Sequence, residues 1–195
     1  MPPWTLVDLP PQTGCTALVT GANAGIGFET AAALAERGAH VVLACRDPSR
    51  AAHAVERVRA RCPTASVEAR PLDLADLDSV RALADGVLRD RLRLDLLILN
   101  AGVMMPPPGT TRQGVELQLG TNHVGHFALT GRLLPAVPAG GRIVVVSSHA
   151  HQAGRLDPAD PGAPTTPFRG YARSKLANLL FALELHWRLA GSGRH

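Results

Sequence analysis

Lysine and tyrosine are nearly missing from this chain of 195 residues: it has one of each, Lys175 and Tyr171, and arginine carries the remaining permanent positive charge of its side chains. Aromatic residues are scarce too, at 4%. The arginines are scattered among Asp and Glu instead of forming a stripe interleaved with rings, so the formal charge of +4 does not describe a nucleic-acid surface. Cysteine is limited to Cys15, Cys45 and Cys62, an odd, widely spaced set that argues against a disulfide framework and fits a reducing compartment. The pairs His123/His126 and His149/His151 lack cysteine or carboxylate partners at zinc-binding spacing, so no metal is expected. No apolar run reaches the length of a membrane span, and residues 1–11 lack the basic-then-apolar layout of a signal peptide. A soluble, cytoplasmic protein with no nucleic-acid or membrane partner is the expectation.

What is present is a foldable composition, 46% hydrophobic and 18% charged, enough for one domain over residues 1–195. Apolar runs rich in Val, Leu and Ile alternate with longer segments of helical period. Strands are expected at 15–20, 40–45, 66–71, 94–100 and 142–148, each reading as a strand buried on both faces. Helices are expected at 25–37, 48–61, 77–91, 113–134 and from 170 to about 190. Strict alternation implies right-handed crossovers and an α/β, Rossmann-type doubly wound parallel sheet with helices on both faces. Such a fold typically continues to a sixth strand, so the chain is expected to be a fragment or a truncated member of its class. The Pro/Gly-rich stretch 156–167 reads as a surface loop.

Directly after the first strand comes Thr20-Gly21-Ala22-Asn23-Ala24-Gly25-Ile26-Gly27, running into a helix. Glycines suit a tight turn, close approach to a pyrophosphate and close helix–strand packing, while the helix N-terminus offers unpaired N–H groups. The spacing T-G-x-x-x-G-I-G resembles that of the short-chain dehydrogenase/reductase family. The resemblance implies a nicotinamide cofactor held by Gly21, Asn23, Gly25, Ile26 and Gly27. At the end of the second strand Cys45 occupies the position where an acid would hold a ribose hydroxyl, and Arg46 follows, which favours NADP over NAD; a solvated strand-end arginine partly neutralised by Asp47 is the alternative. Asp73, with Leu74, matches the family's adenine-contacting position, and Leu99-Asn100-Ala101-Gly102 resembles its N-N-A-G turn with the first asparagine replaced.

Tyr171-Ala172-Arg173-Ser174-Lys175 carries the chemistry. Tyrosine, with a reference pKa of about 10, needs a nearby cation to act at neutral pH. Four residues apart on a helix, Tyr171 and Lys175 share a face. A compact ammonium favours the phenolate and reaches ribose hydroxyls in a way a planar guanidinium does not, which explains a lone surviving lysine. The strand 142–148 ends in Ser147-Ser148, hydroxyls at the edge where such sheets bind ligands. By resemblance Ser148 holds the substrate oxygen, with Ser147 as the alternative, His149 and His151 line the pocket mouth, and Asn122 maintains a proton path to Lys175. Ala44-Cys45-Arg46-Asp47, Thr121-Asn122-His123-Val124-Gly125-His126-Phe127 and Ser174-Lys175-Leu176-Ala177-Asn178 are most similar to the retinol-dehydrogenase and WW-domain-oxidoreductase branch. The implied reaction is hydride transfer between NADP(H) and a small-molecule carbonyl or alcohol; a nucleotide binder without turnover and a non-enzymatic interaction module stay as alternatives. Family members pair as homodimers or homotetramers through helices matching 113–134 and 170–190, and the sequence leaves pairing undecided.

Overall fold

The computed structural model describes residues 5–160, 162–163 and 165–191. Its strands are β1 (Thr16–Thr20), β2 (His40–Cys45), β3 (Val67–Pro71), β4 (Leu96–Leu99) and β5 (Arg142–Val145). All neighbours are parallel, in the order β3-β2-β1-β4-β5. The chain winds outward from β1 to β3, then returns to lay β4 along the other side of β1. The carboxyl ends of β1 and β4 therefore flank the topological switch point, where α/β sheets bind ligands.

The central strands are apolar between their ends because both sheet faces are covered. Ala17 and Val19 of β1 belong to the core under α1 (Gly25–Glu36) and α2 (Pro48–Arg61), while Leu18 between them belongs to the core under α3 (Leu77–Arg89) and α5 (Gly125–Leu133). Burying such a Leu or Val side chain contributes about 1.5–3 kcal/mol. α2 begins and ends where the sequence places it because its local signals agree: the Asp47 carboxylate accepts from the Arg50 amide at 3.0 Å, Pro48 takes the first helical position, and Arg59 and Arg61 sit at the C-terminal end.

Two sequence expectations need correction. Residues 113–134 are not one α-helix: Gly114 has φ +80°, and the Glu116 carboxylate caps a single turn, α4 (Leu117–Leu119). A π-helical turn follows over Gly120–Val124, then α5. Nor are the third and fifth strands buried on both faces: β3 forms one sheet edge, with Ala69 and Pro71 exposed. β5 stands at the sheet edge with Val144 44% exposed, since among the described residues it pairs only with β4. It also stops at Val145, because the Val146 carbonyl is drawn to side chains of α6 (Pro167–Gly191). Among the described residues, no helix is long and apolar enough to cross a membrane.

Candidate active site

The turn after β1 requires glycine at two places. Gly21 has φ +67°, and a Cβ there would lie 2.8 Å from the Ala101 Cα; a Cβ on Gly27 would lie 2.6 Å from the Gly21 carbonyl oxygen. α1 starts at Gly25 with no side-chain cap from Ala24 and no acid in its first turn. Its positive end is thus suited to an anion supplied from outside the chain. Gly21, Asn23, Ile26, Gly27, Arg46, Asp73, Leu74, Asn100, Ala101 and Gly102 line one cleft of about 420 Å³ at the switch point. Three further residues expected to touch a nucleotide, Gly25, Tyr171 and Lys175, lie outside that lining. Gly25 shapes the turn with φ +56°, and Lys175 stands beside Gly102, whose Cβ, were there one, would be 3.6 Å from Nζ.

Sequence reasoning missed Arg50, which lines the same cleft. The signal was available: the Asp47-Pro48 helix start puts residue 50 in the first turn of α2, directly over the end of β2. Asp47 is committed to that start and lies 3.7 Å from the Arg50 Nε. Cys45 is buried beneath the turn; burial pushes its thiol pKa up, while the Ala22 and Asn23 amides, which hydrogen-bond to it, pull the other way. Asp73 is not the cap of α3, a role Asp76 takes by accepting from the Asp78 amide. The Asp73 carboxylate instead accepts from the Ala75 amide at 2.9 Å.

The two halves of the site are joined by a buried network. The Thr20 hydroxyl oxygen accepts from the Asn100 and Ala101 amides at 2.9 and 3.0 Å and lies 2.8 Å from His126 Nε2. His126 Nδ1 lies 2.9 Å from the Asn122 carbonyl oxygen, which can only accept. Nδ1 therefore carries the proton, and Nε2 accepts from Thr20. Burial lowers the His126 pKa to about 4, so the ring is neutral at physiological pH and the network is fully paired.

Beyond it lies the face that carries Tyr171 and Lys175. Asn122 is completely buried: its amide accepts from the Val103 N–H at 2.7 Å and donates to the Val103 carbonyl and the Ser174 hydroxyl, both at 2.9 Å. Lys175, 4% exposed, donates to the Val146 carbonyl at 3.2 Å, and its Nζ is 5.7 Å from the Tyr171 ring centroid. Desolvation lowers the lysine pKa. The expected pair thus shares a face. The two serines differ: Ser147 donates to the Lys175 carbonyl at 2.8 Å, whereas the Ser148 oxygen accepts from the Ala150 amide and so keeps its own proton free to donate. His151 Nδ1 bonds back to the Ser148 carbonyl at 2.7 Å, and His149 is exposed. A phenol, a desolvated cation beside Gly102 of the cleft and a hydroxyl free to donate are groups able to move a proton to or from a carbonyl oxygen.

Comparison with known proteins places this arrangement among relatives. Residues 15–190 match the family model for short chain dehydrogenase. Human retinol dehydrogenase 13 is 46% identical over 185 residues, 92% of this chain and 56% of the relative; human retinol dehydrogenase 12 is 47% identical over 193 residues, 97% of this chain and 60% of the relative. The chain thus spans somewhat over half the length of these curated relatives. The crystal structure of an uncharacterised protein from Mycobacterium paratuberculosis aligns with a TM-score of 0.87 at 47% identity, covering 97% of this chain and 68% of that one. The Pseudomonas aeruginosa RhlG/NADP active-site complex aligns with a TM-score of 0.71 at 28% identity, covering 92% and 67%.

Proposed function

This chain belongs to the short-chain dehydrogenase family, and from that premise we propose that it transfers hydride between NADP(H) and a carbonyl or alcohol substrate of lipophilic character. The observation that carries the reading is the buried Lys175 ammonium 5.7 Å from the Tyr171 ring, beside Gly102 of the nucleotide cleft. The turn after β1 fits a pyrophosphate, since α1 opens there with no side-chain cap and no acid in its first turn. Arg46 and Arg50 suit a 2′-phosphate, with Asp47 occupied in capping α2. The NADP-bound RhlG structure and the retinol dehydrogenase relatives support the cofactor and the substrate class.

When bound, the nicotinamide supplies the hydride to the substrate carbon or takes it away. Tyr171 moves the matching proton, donating its hydroxyl hydrogen to the substrate oxygen on reduction and recovering it on oxidation. Lys175 holds its ammonium 5.7 Å from the Tyr171 ring, where burial leaves its field little screened by water. Ser148 donates to the substrate oxygen because Ser147 is engaged by the Lys175 carbonyl. Asn122 fixes the Val103 turn and Ser174 around the lysine, on the path by which its proton is replaced. Tyr171→Phe should lower the rate of NADPH-dependent aldehyde reduction about 10³-fold with NADPH affinity within twofold of the parent; equal turnover would falsify the assignment.

A second reading is NADP(H) binding without turnover. Calorimetric NADPH binding with no reduction across an aldehyde and ketone panel would select it. Pairing into a homodimer fits the face where Phe127, 58% exposed, and Leu180, 47% exposed, flank the Phe127–Phe181 contact, and light scattering measures it directly.

A further inference from the structure

Every polar group described so far serves the nucleotide or Tyr171. Two buried side chains, Gln118 and Arg173, and the partly buried Glu116 do not. Gln118, 3% exposed, spans two segments: its carbonyl accepts from the Met105 amide at 2.8 Å, and its amide donates to the Pro167 carbonyl at 2.9 Å. Met105 is held at φ +48°, which a residue with a side chain rarely adopts, so the bond fixes a turn that would otherwise relax. Pro167 opens α6, one helical turn before Tyr171. Gly170 makes room for the crossbar, because a Cβ there would lie 2.9 Å from the Gln118 Nε2.

Arg173 forms the second member. It projects from α6 away from the Tyr171–Lys175 face, being two residues from each, and is 5% exposed. Its guanidinium donates to the Ala163 carbonyl at 2.7 Å and lies 3.7 Å from the Glu116 carboxylate. That carboxylate is itself placed by accepting from the Gln118 and Leu119 amides at 3.0 and 2.9 Å. A desolvated guanidinium beside a carboxylate that has its own cap is held in one position, and it holds the Ala163 backbone with it. None of these three residues lines the nucleotide cleft, but Glu116 and Gln118 line a separate cavity of about 320 Å³ with Pro106, Thr110, Gly162 and Thr166.

We propose that Glu116, Gln118 and Arg173 form a largely buried polar brace that positions the substrate-side rim of the cleft, the Val103–Met105 turn and the backbone at Ala163, relative to Tyr171. They are positioning residues for the carbonyl substrate, not for the nucleotide, and this rests on the reading of Tyr171 given above. Removing one arm lets the rim drift while the glycine turn and the Tyr171–Lys175 pair stay in place.

The test uses the full chain with octanal and NADPH as probes, alongside tryptic cleavage after the exposed Arg155 followed by mass spectrometry. Gln118→Leu and Arg173→Met should each raise the KM for octanal about tenfold, leave the KM for NADPH within twofold and speed cleavage about fivefold. Gln118→Glu, which keeps the acceptor for Met105, should recover most of the octanal KM. Glu116→Gln, of equal size, decides on the same readouts if Arg173→Met does not fold. Unchanged octanal KM and cleavage in these variants, or a rise in the NADPH KM in step with that for octanal, overturns the brace. A parent protein that binds NADPH but reduces no octanal refutes the reductase reading alone, and the cleavage rates still decide whether the brace holds the rim.

Discussion

The half of this molecule around the glycine turn and the half around Tyr171 are built by opposite means. Around β1, α1 and β2 the structure depends on groups that are not there: glycines with no Cβ, a helix start with no cap, an apolar core of Ala17, Val19, Phe28 and Ala31. Among the described residues, every fully buried polar side chain except Thr20 lies between 111 and 178, in the half that surrounds Tyr171. Close backbone approach suits a ligand recognised through phosphates. Proton transfer needs side chains fixed to within a fraction of an ångström, and paired buried polar groups provide that because leaving any of them unpaired is costly.

The comparison breaks first at His126, where the halves meet. His126→Leu should lower the unfolding free energy by about 3 kcal/mol in urea titration, as much as a core truncation, because Thr20 and the Asn122 carbonyl lose their partner. A loss under 1 kcal/mol would put the half around Tyr171 on the same apolar footing as the other. Next is Gly27→Val, which should weaken NADPH binding about a hundredfold by calorimetry, since the new atoms meet the Gly21 carbonyl at 2.6 Å.

A smaller effect comes from pH. His126 titrates at about 4 when folded against about 6.5 when unfolded, so between those values the unfolded chain binds the extra proton. Its contribution is complete above pH 6.5 and is lost as pH falls toward 4, by about 2 kcal/mol between pH 7 and 5. The same titration on His126→Gln should lack that increment; an identical slope would place the pH sensitivity elsewhere. Smallest is the charge test on the nucleotide side: Arg46→Ala and Arg50→Ala should each raise the KM for NADPH about tenfold while leaving that for NADH within twofold. Equal effects on both cofactors would mean that neither arginine meets the extra phosphate.

Legibility followed the range of the interactions. β2 and α2 lie where the apolar alternation, the Asp47 cap and the terminal arginines put them, since each signal acts within a few residues. The π-helical turn at Gly120–Val124 was invisible, because nothing in its helical period distinguishes it from an α-helix, and it is held by Asn122 reaching Val103 and by His126 reaching Thr20. The edge position of β5 was equally hidden, since an apolar run does not say whether a further strand covers it. Arg50 was recoverable from the helix start, but Gln118 and Arg173 carry no local signal, and only the structure puts Pro167 and Ala163 within their reach.

The sequence by itself determined the strand and helix alternation, the glycine turn that backbone contact demands, and the spacing that sets the only lysine one helical turn from the only tyrosine. Tertiary structure alone decided which serine keeps its proton free to donate, which histidine is held neutral, and which polar side chains brace the rim. Periodicity and turn chemistry are properties of neighbours along the chain. A hydrogen bond such as that from Thr20 to His126 joins residues 106 positions apart, and its partners are chosen only when the sheet brings them together.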